Sequence, residues 1–163
     1  MSHDEKKHDD KKHVTAMSVK MDVVITQNSD GTLNGNLNCK YFEEPFTFTR
    51  LMSMVEMMET TFDTKGFPEK HLLPRSFNKP KKRLRKHELD LPTLAKERSA
   101  EIDDASLAVT ENQIKKTCSF DLLVRFRHNA EWQGSIFWKE ADNTKRFSSI
   151  VELVRIINEA LSR

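Results

Sequence analysis

The stretch Cys118–Arg163, CSFDLLVRFRHNAEWQGSIFWKEADNTKRFSSIVELVRIINEALSR, decides the fold. Two apolar runs, Phe120 to Phe126 and Trp132 to Trp138, flank a polar turn, and a short extended piece follows around Phe147. Short runs of alternating or continuous apolar character, bounded by turn residues, are the mark of strands. From Ile150 the apolar positions are Ile150, Val151, Leu153, Val154, Ile156, Ile157 and Leu161. That spacing follows the helical period of about 3.6 residues. Ser149-x-x-Glu152 at the start of the run reads as a capping box, in which hydroxyl and carboxylate satisfy free amides of the first turn. The unit is β-β-(β)-α.

Working back from this stretch, a shift of 99 residues lays Met21–Phe62 on Phe120–Leu161 without a gap. Met21, Val23 and Ile25 fall on Phe120, Leu122 and Val124. Leu33, Gly35, Leu37 and Cys39 fall on Trp132, Gly134, Ile136 and Trp138, and Phe48 falls on Phe147. The helical positions then follow: Leu51, Met52, Met54, Val55, Met57, Met58 and Phe62 on Ile150, Val151, Leu153, Val154, Ile156, Ile157 and Leu161. Identities are few, but the switch of period from two to the helical value occurs at the same place in both. An internal duplication of the β-β-(β)-α unit is the reading. Asn28-Ser29-Asp30-Gly31-Thr32 is a hairpin signal in the first copy, and Arg127-His128-Asn129-Ala130-Glu131 takes its place as the turn of the second. Gly35 and Gly134 occupy the same position inside the second strand, which predicts a bulge bending both copies alike. Thr49 is the candidate cap of the first helix.

Both helices are apolar around more than half their circumference, more than a helix covering a sheet alone requires. Each therefore needs a second partner, and a single copy is close to the lower size for independent folding. The expectation is an α+β fold: one pseudo-two-fold domain with an antiparallel sheet and two packed helices. The chain divides into a charged tail at 1–16, a first copy at 17–63, a linker at 64–116 and a second copy at 117–163. Residues 2–13 carry four acids and four bases in a near-repeat with His3, His8 and His13. Such a segment has nothing apolar to bury and is expected to be disordered, and the five-residue histidine spacing fits no usual metal site. In the linker, Gly66-Phe67-Pro68 and Leu72-Leu73-Pro74 with Phe77 read as anchor points, and residues 92–101 as a short helix begun by Pro92.

The pattern Trp132-Gln133-Gly134, followed by Phe147-Ser148-Ser149-x-x-Glu152-Leu153, resembles that of short, uncharacterised bacterial proteins of β-β-(β)-α type. The resemblance runs from Cys118 onward and reaches the first copy by pattern. It implies the fold and a bacterial or phage origin, and no activity. The β-β-β-α order is also similar in topology to the C-terminal part of a double-stranded-RNA-binding domain. That family has a preceding helix and a basic cluster opening its last helix. Phe147-Ser148-Ser149 and Phe48-Thr49-Arg50 stand there instead.

The net charge of +2 is a small difference between 27 basic and 25 acidic residues, so no global attraction to nucleic acid or membrane is implied. Two cysteines make no disulfide framework, and no apolar run approaches the length of a membrane span. A reduced, cytoplasmic setting is expected. Phosphate-loop, HExxH, CxxC and nucleophile-elbow patterns are missing. Asp22 and Asp121 stand at equivalent strand positions, where outward-facing charge is the simpler reading than a catalytic carboxylate pair. No enzyme activity, cofactor or metal is expected.

Two places could meet a partner. The run from Arg75 to His87 holds Arg75, Lys79, Lys81, Lys82, Arg83, Arg85 and Lys86 with no acid, which suits salt-sensitive contact with a phosphate backbone. The other is the sheet face away from the helices, where Val24, Leu123, Phe126 and Phe137 are expected to lie. Apolar side chains there exceed what a solvated face needs. The leading expectation is a non-enzymatic protein-interaction or assembly module binding another protein or a second copy of itself. The alternative is a nucleic-acid-associated protein acting through 75–87.

Overall fold

The structure is a computed structural model and describes residues 19–71, 89–102, 114–128 and 131–163. The tail 1–16, Leu72-Leu73-Pro74, Phe77 and the basic run Arg75–Lys86 lie outside the described residues.

Strand β1, Met21–Asn28, buries Met21, Val23 and Ile25 and turns Asp22 and Val24 outward, as its alternation dictates. The hairpin that follows closes with Asn28 N–H donating to the Thr32 carbonyl at 2.9 Å. Gly31 takes φ 87°, a conformation a side chain would strain. Asp30 Oδ1 accepts from both the amide and the hydroxyl of Thr32. Strands β2 (Leu33–Asn38) and β3 (Phe46–Phe48) follow, then helix α1 (Leu51–Lys65). The helix ends at Gly66, which has φ 67° and donates its amide to the Phe62 carbonyl. Phe67 and Pro68 then pack back against the domain, Pro68 being buried.

The middle of the chain contributes two elements. A two-residue strand, β4 (Lys70–His71), runs parallel to the end of β5, and helix α2 spans Leu91–Ala100 with Pro92 in its first turn. Strands β5 (Ile114–His128), β6 (Glu131–Trp138) and β7 (Asn143–Phe147) precede helix α3 (Ile150–Ser162). β5 begins ahead of residue 117 and runs through Arg127 and His128, so these two residues are strand and not turn.

Six antiparallel strands form one sheet in the order β3-β2-β1-β5-β6-β7. Ile25 faces Gly35 across β1 and β2, and Val124 faces Gly134 across β5 and β6. Gly35 faces Phe48, and Gly134 faces Phe147. At the centre, Asp22 faces Asp121 across β1 and β5. Helices α1 and α3 cover the same side of this sheet, α1 through Phe62 against Trp132 and α3 through Ala160 against Cys118. Their inward residues, with Leu91 and Ala95 of α2, make one core cluster. Met54, Met57 and Met58 are fully buried, whereas Met52 is 55% exposed and Val151 78% exposed. The apolar surface of each helix is thus wider than the face it buries. A groove of about 390 Å³ lined by Val55, Glu56, Glu59 and Thr60 of α1, Arg98 of α2 and Ile150 of α3 runs between them.

The paired bulge is corrected. An irregularity falls between Val124 and Phe126 of β5, opposite Gln133, but β1 and β2 stay in register through Gly35. What the two glycines share is an aromatic ring laid on bare backbone. A methyl at Gly35 would overlap the Phe48 ring, and one at Gly134 would overlap the Leu123 carbonyl and stand 2.9 Å from the Phe147 ring. The first helix is also begun differently from expectation: its N-cap position is Arg50, which makes no side-chain cap, and not Thr49.

Candidate interaction surface

The sheet face away from the helices is built by the alternate residues of each strand. At its centre, Asp22 and Asp121 lie side by side, and Lys139 Nζ reaches both, 2.9 Å from an oxygen of each. Lys20 Nζ holds the other Asp121 oxygen at 2.5 Å. Burial raises the Asp121 pKa, but the ammonium groups of Lys20 and Lys139 outweigh it and hold this carboxyl well below the usual range. The same contacts raise Lys139. The carboxylates are therefore neutralised in place, each with a lysine, and the centre of the face presents a closed ion cluster.

To one side, on β3, β2 and β1, the face is short and polar. Asn34, Asn36 and Asn38 line β2, Thr47 Oγ1 donates to Asn36 Oδ1 at 3.0 Å, and Thr26 and Thr117 share a hydrogen bond across β1 and β5. Val24, 39% exposed, is the single apolar side chain there among the described residues. The other side is different. Leu123 and Phe137 are half-buried and Phe126 is 62% exposed, all on β5 and β6. Leu123 and Phe126 share this face only because the irregularity between Val124 and Phe126 resets the alternation. The same break leaves Arg125 exposed beside Phe126 and turns Arg127 inward.

Arg127 was not identifiable from the sequence as a site residue, since strict alternation would send it out to solvent. It is 2% exposed. Its Nε donates to the Pro68 carbonyl at 2.8 Å, and its Nη1 lies 2.8 Å from Asp63 Oδ1 and 3.2 Å from Glu59 Oε2. Its guanidinium also stands over the Phe62 ring. Glu59 in turn accepts from Lys70 at 2.5 Å and from the Trp132 indole at 2.9 Å. Burial raises the Glu59 pKa, yet Lys70, Arg127 and Trp132 together bring it below its ordinary value. The network joins α1, the Pro68 turn, β4, β5 and β6, and every polar group named in it has a partner. It is a fastening between elements.

Neither thiol is prepared as a nucleophile. Cys39 and Cys118 are buried, and burial pushes both pKa values up, away from thiolate. Among the described residues no group of three or more His, Cys, Asp or Glu side chains is placed to hold a metal ion. No described helix is long and apolar enough to cross a membrane. The groove between α1 and α2, about 490 Å³, is lined by charges of both signs, Arg50 and Arg98 against Glu56, Glu97 and Glu101. No protein-family model matches the chain, and no curated protein or solved structure does. The functional reading therefore rests on the geometry of the sheet.

Proposed function

We propose that the chain is a duplicated interaction module that binds another protein through the β5–β6 side of its open sheet face. The observation that carries this is the segregation of that face. Leu123, Phe126 and Phe137 gather on one side, while the other side and the centre carry one apolar side chain among the described residues, Val24, amid Asn, Thr, Ser and paired charge. A solvated face has no need to concentrate its aromatic residues, and an apolar centre with a polar rim is the anatomy of a protein interface. Arg125 and Arg146, exposed at the rim, have no ion-pair partner among the described residues, so a surface with acidic groups around an apolar centre is the complement. The duplication is supported by the registers: every pairing across β1–β2 and β2–β3 named above recurs 99 residues later across β5–β6 and β6–β7. The β1–β5 pairing brings the equivalent residues Asp22 and Asp121 opposite one another, as a two-fold axis between the copies requires.

The test uses the full chain as bait in host lysate with nuclease treatment, followed by affinity measurement with the purified captured protein. Phe126→Ser combined with Phe137→Ser should weaken binding roughly 30-fold or more, the range for truncated aromatic anchors, with the thermal transition retained. Capture that vanishes on nuclease treatment, or affinity unchanged in the folded double variant, would sink the reading.

A further inference from the structure

The two edges of the sheet are finished differently. At β3, helix α2 lies against the strand, burying Leu91 and Ala95, and the Ser99 hydroxyl accepts from the Thr47 amide at 2.9 Å. An edge donor is thereby satisfied within the chain. At the far edge, β7 pairs with β6 through all five of its residues, Asn143 to Phe147, without a break, and no described element lies on its outer side. An antiparallel edge strand aims the N–H and C=O groups of alternate residues outward. β7 has no proline, glycine or bulge to disturb that row.

Two features of its surroundings specify what could pair with it. On the helix side, β7 and α3 enclose a small apolar cleft of about 20 Å³, floored by Phe120, Ile136, Ile156 and Ala160 and bordered by Lys145 and Glu159. That is room for a methyl-sized group. Lys145 is already neutralised by Glu159 Oε2 at 2.8 Å. On the open face stands Arg146, exposed and without an ion-pair partner among the described residues. A strand laid beside β7 would send alternate side chains to these two sides.

We infer that β7 is a docking edge for an extended segment of another protein in which acidic residues alternate with small apolar ones, added to the sheet as its next strand. The acids face Arg146 and the apolar residues face the cleft. Charge also selects against the nearest competitor. A second copy pairing β7 antiparallel to β7 about Arg146 would set that cation against its own counterpart, and like charges on facing strands are destabilising. The inference goes beyond the sheet-face reading; the two share Arg146, and loss of Phe126 and Phe137 touches the face alone, so either can fail alone.

The probe is an end-blocked synthetic peptide alternating Val and Glu, with its Val–Lys counterpart as control, added to the ¹⁵N-labelled full chain. Amide exchange is followed by NMR. The Val–Glu peptide should slow exchange of alternate amides within 143–147 at least tenfold, and the Val–Lys peptide should not. Arg146→Glu should reverse the preference, and the Phe126→Ser, Phe137→Ser variant should keep the edge response while losing the face partner. Unchanged β7 exchange with the acidic peptide overturns the inference. So does equal protection by both peptides, or protection without peptide that grows with protein concentration alongside a sedimenting dimer.

Discussion

The halves β1-β2-β3-α1 and β5-β6-β7-α3 bury matching residues and are held at their ends in unlike ways. Asn28 and Arg127 stand 99 residues apart at the close of β1 and β5, and both are buried. Asn28 is held locally: its amide donates to Thr32 O at 2.9 Å and its side-chain Nδ2 to Thr32 Oγ1 at 2.7 Å, while its Oδ1 is buried without a hydrogen-bond partner among the described residues. Arg127 is held from a distance, by Pro68, Asp63 and Glu59. A hairpin can close itself, whereas a buried guanidinium must recruit partners from other elements. In doing so it ties the Pro68 turn and β4 to the second half of the sheet. The comparison teaches that matching strands and helices set most of the core, and that of the unmatched middle segment α2 is attached by burying Leu91 and Ala95, whereas the Pro68 turn and β4 are fastened through the Arg127 charge network.

The largest effect should come from breaking that attachment. Arg127→Ala leaves Asp63 and Glu59 facing a void, and removal of one partner from a buried ion pair costs about 3–5 kcal/mol. Urea unfolding should show this loss, while Asn28→Ala, at the matching place, should cost about 1–2 kcal/mol. Equal losses would break the contrast. Glu59 sharpens it. Its folded pKa lies below the unfolded value, so it contributes stability that is complete above the ordinary Glu range and is lost as pH falls through the lower folded value. Between about pH 5 and 3, Glu59→Gln should therefore flatten part of the acid loss seen in the wild type. Superimposable acid profiles would mean that Glu59 is not held by Lys70 and Arg127 in solution.

The glycine pair comes next. Gly35→Ala meets the Phe48 ring, a side chain that can tilt, whereas Gly134→Ala meets the Leu123 carbonyl as well as the Phe147 ring. Overpacking a strand interior costs about 1–3 kcal/mol, and backbone is harder to displace than a ring. Gly35→Ala should fall at the lower end of that range and Gly134→Ala at or above its upper end, read from chemical denaturation. A smaller loss at Gly134 would show that the β5 irregularity absorbs the methyl.

The same pair shows how far the residues alone reach. Period two giving way to the helical period is a property of burial on one face, so Met21–Phe62 and Phe120–Leu161 are legible as strands and helices. Pro92 marks α2 for the same local reason: a fixed φ suited to a helix start. The outward placement of Phe126 depends on the break at Arg125, whereas that of Val24, Leu123 and Phe137 is legible from the alternation of their strands. The break at Arg125 is not, because a bulge depends on how two strands settle against each other, and it alone decides that Arg127 turns inward. Strand β4 has two residues and no pattern of its own. Arg125 and Arg146, which border the candidate surface without an ion-pair partner among the described residues, look in the sequence like the other basic residues around them. Only the pairing of Lys20, Lys139 and Lys145 elsewhere sets them apart.

The smallest expected effect lies at the helix starts, where the halves again differ. Ser149 caps α3 by accepting from the Glu152 amide at 3.1 Å. The Glu152 carboxylate reaches back one residue further than an ordinary capping box, to the amide and hydroxyl of Ser148, at 2.8 Å each. Arg50, at the matching position of α1, already has the extended backbone of a cap, φ −139° and ψ 137°, but offers no acceptor. Ser149→Ala should cost about 1 kcal/mol, or about 2–4 °C in Tm for a domain of this size. Arg50→Ser should raise Tm by a smaller amount, because it supplies the missing acceptor without moving the chain. If Arg50→Ser lowers Tm instead, Arg50 is stabilising α1 through the groove it shares with Glu56 and Glu97, and the difference in capping is compensated by charge. An Arg50→Ala control separates the two, since it removes the charge and adds no acceptor: loss of stability in both variants identifies the charge, and a gain confined to Ser identifies the cap.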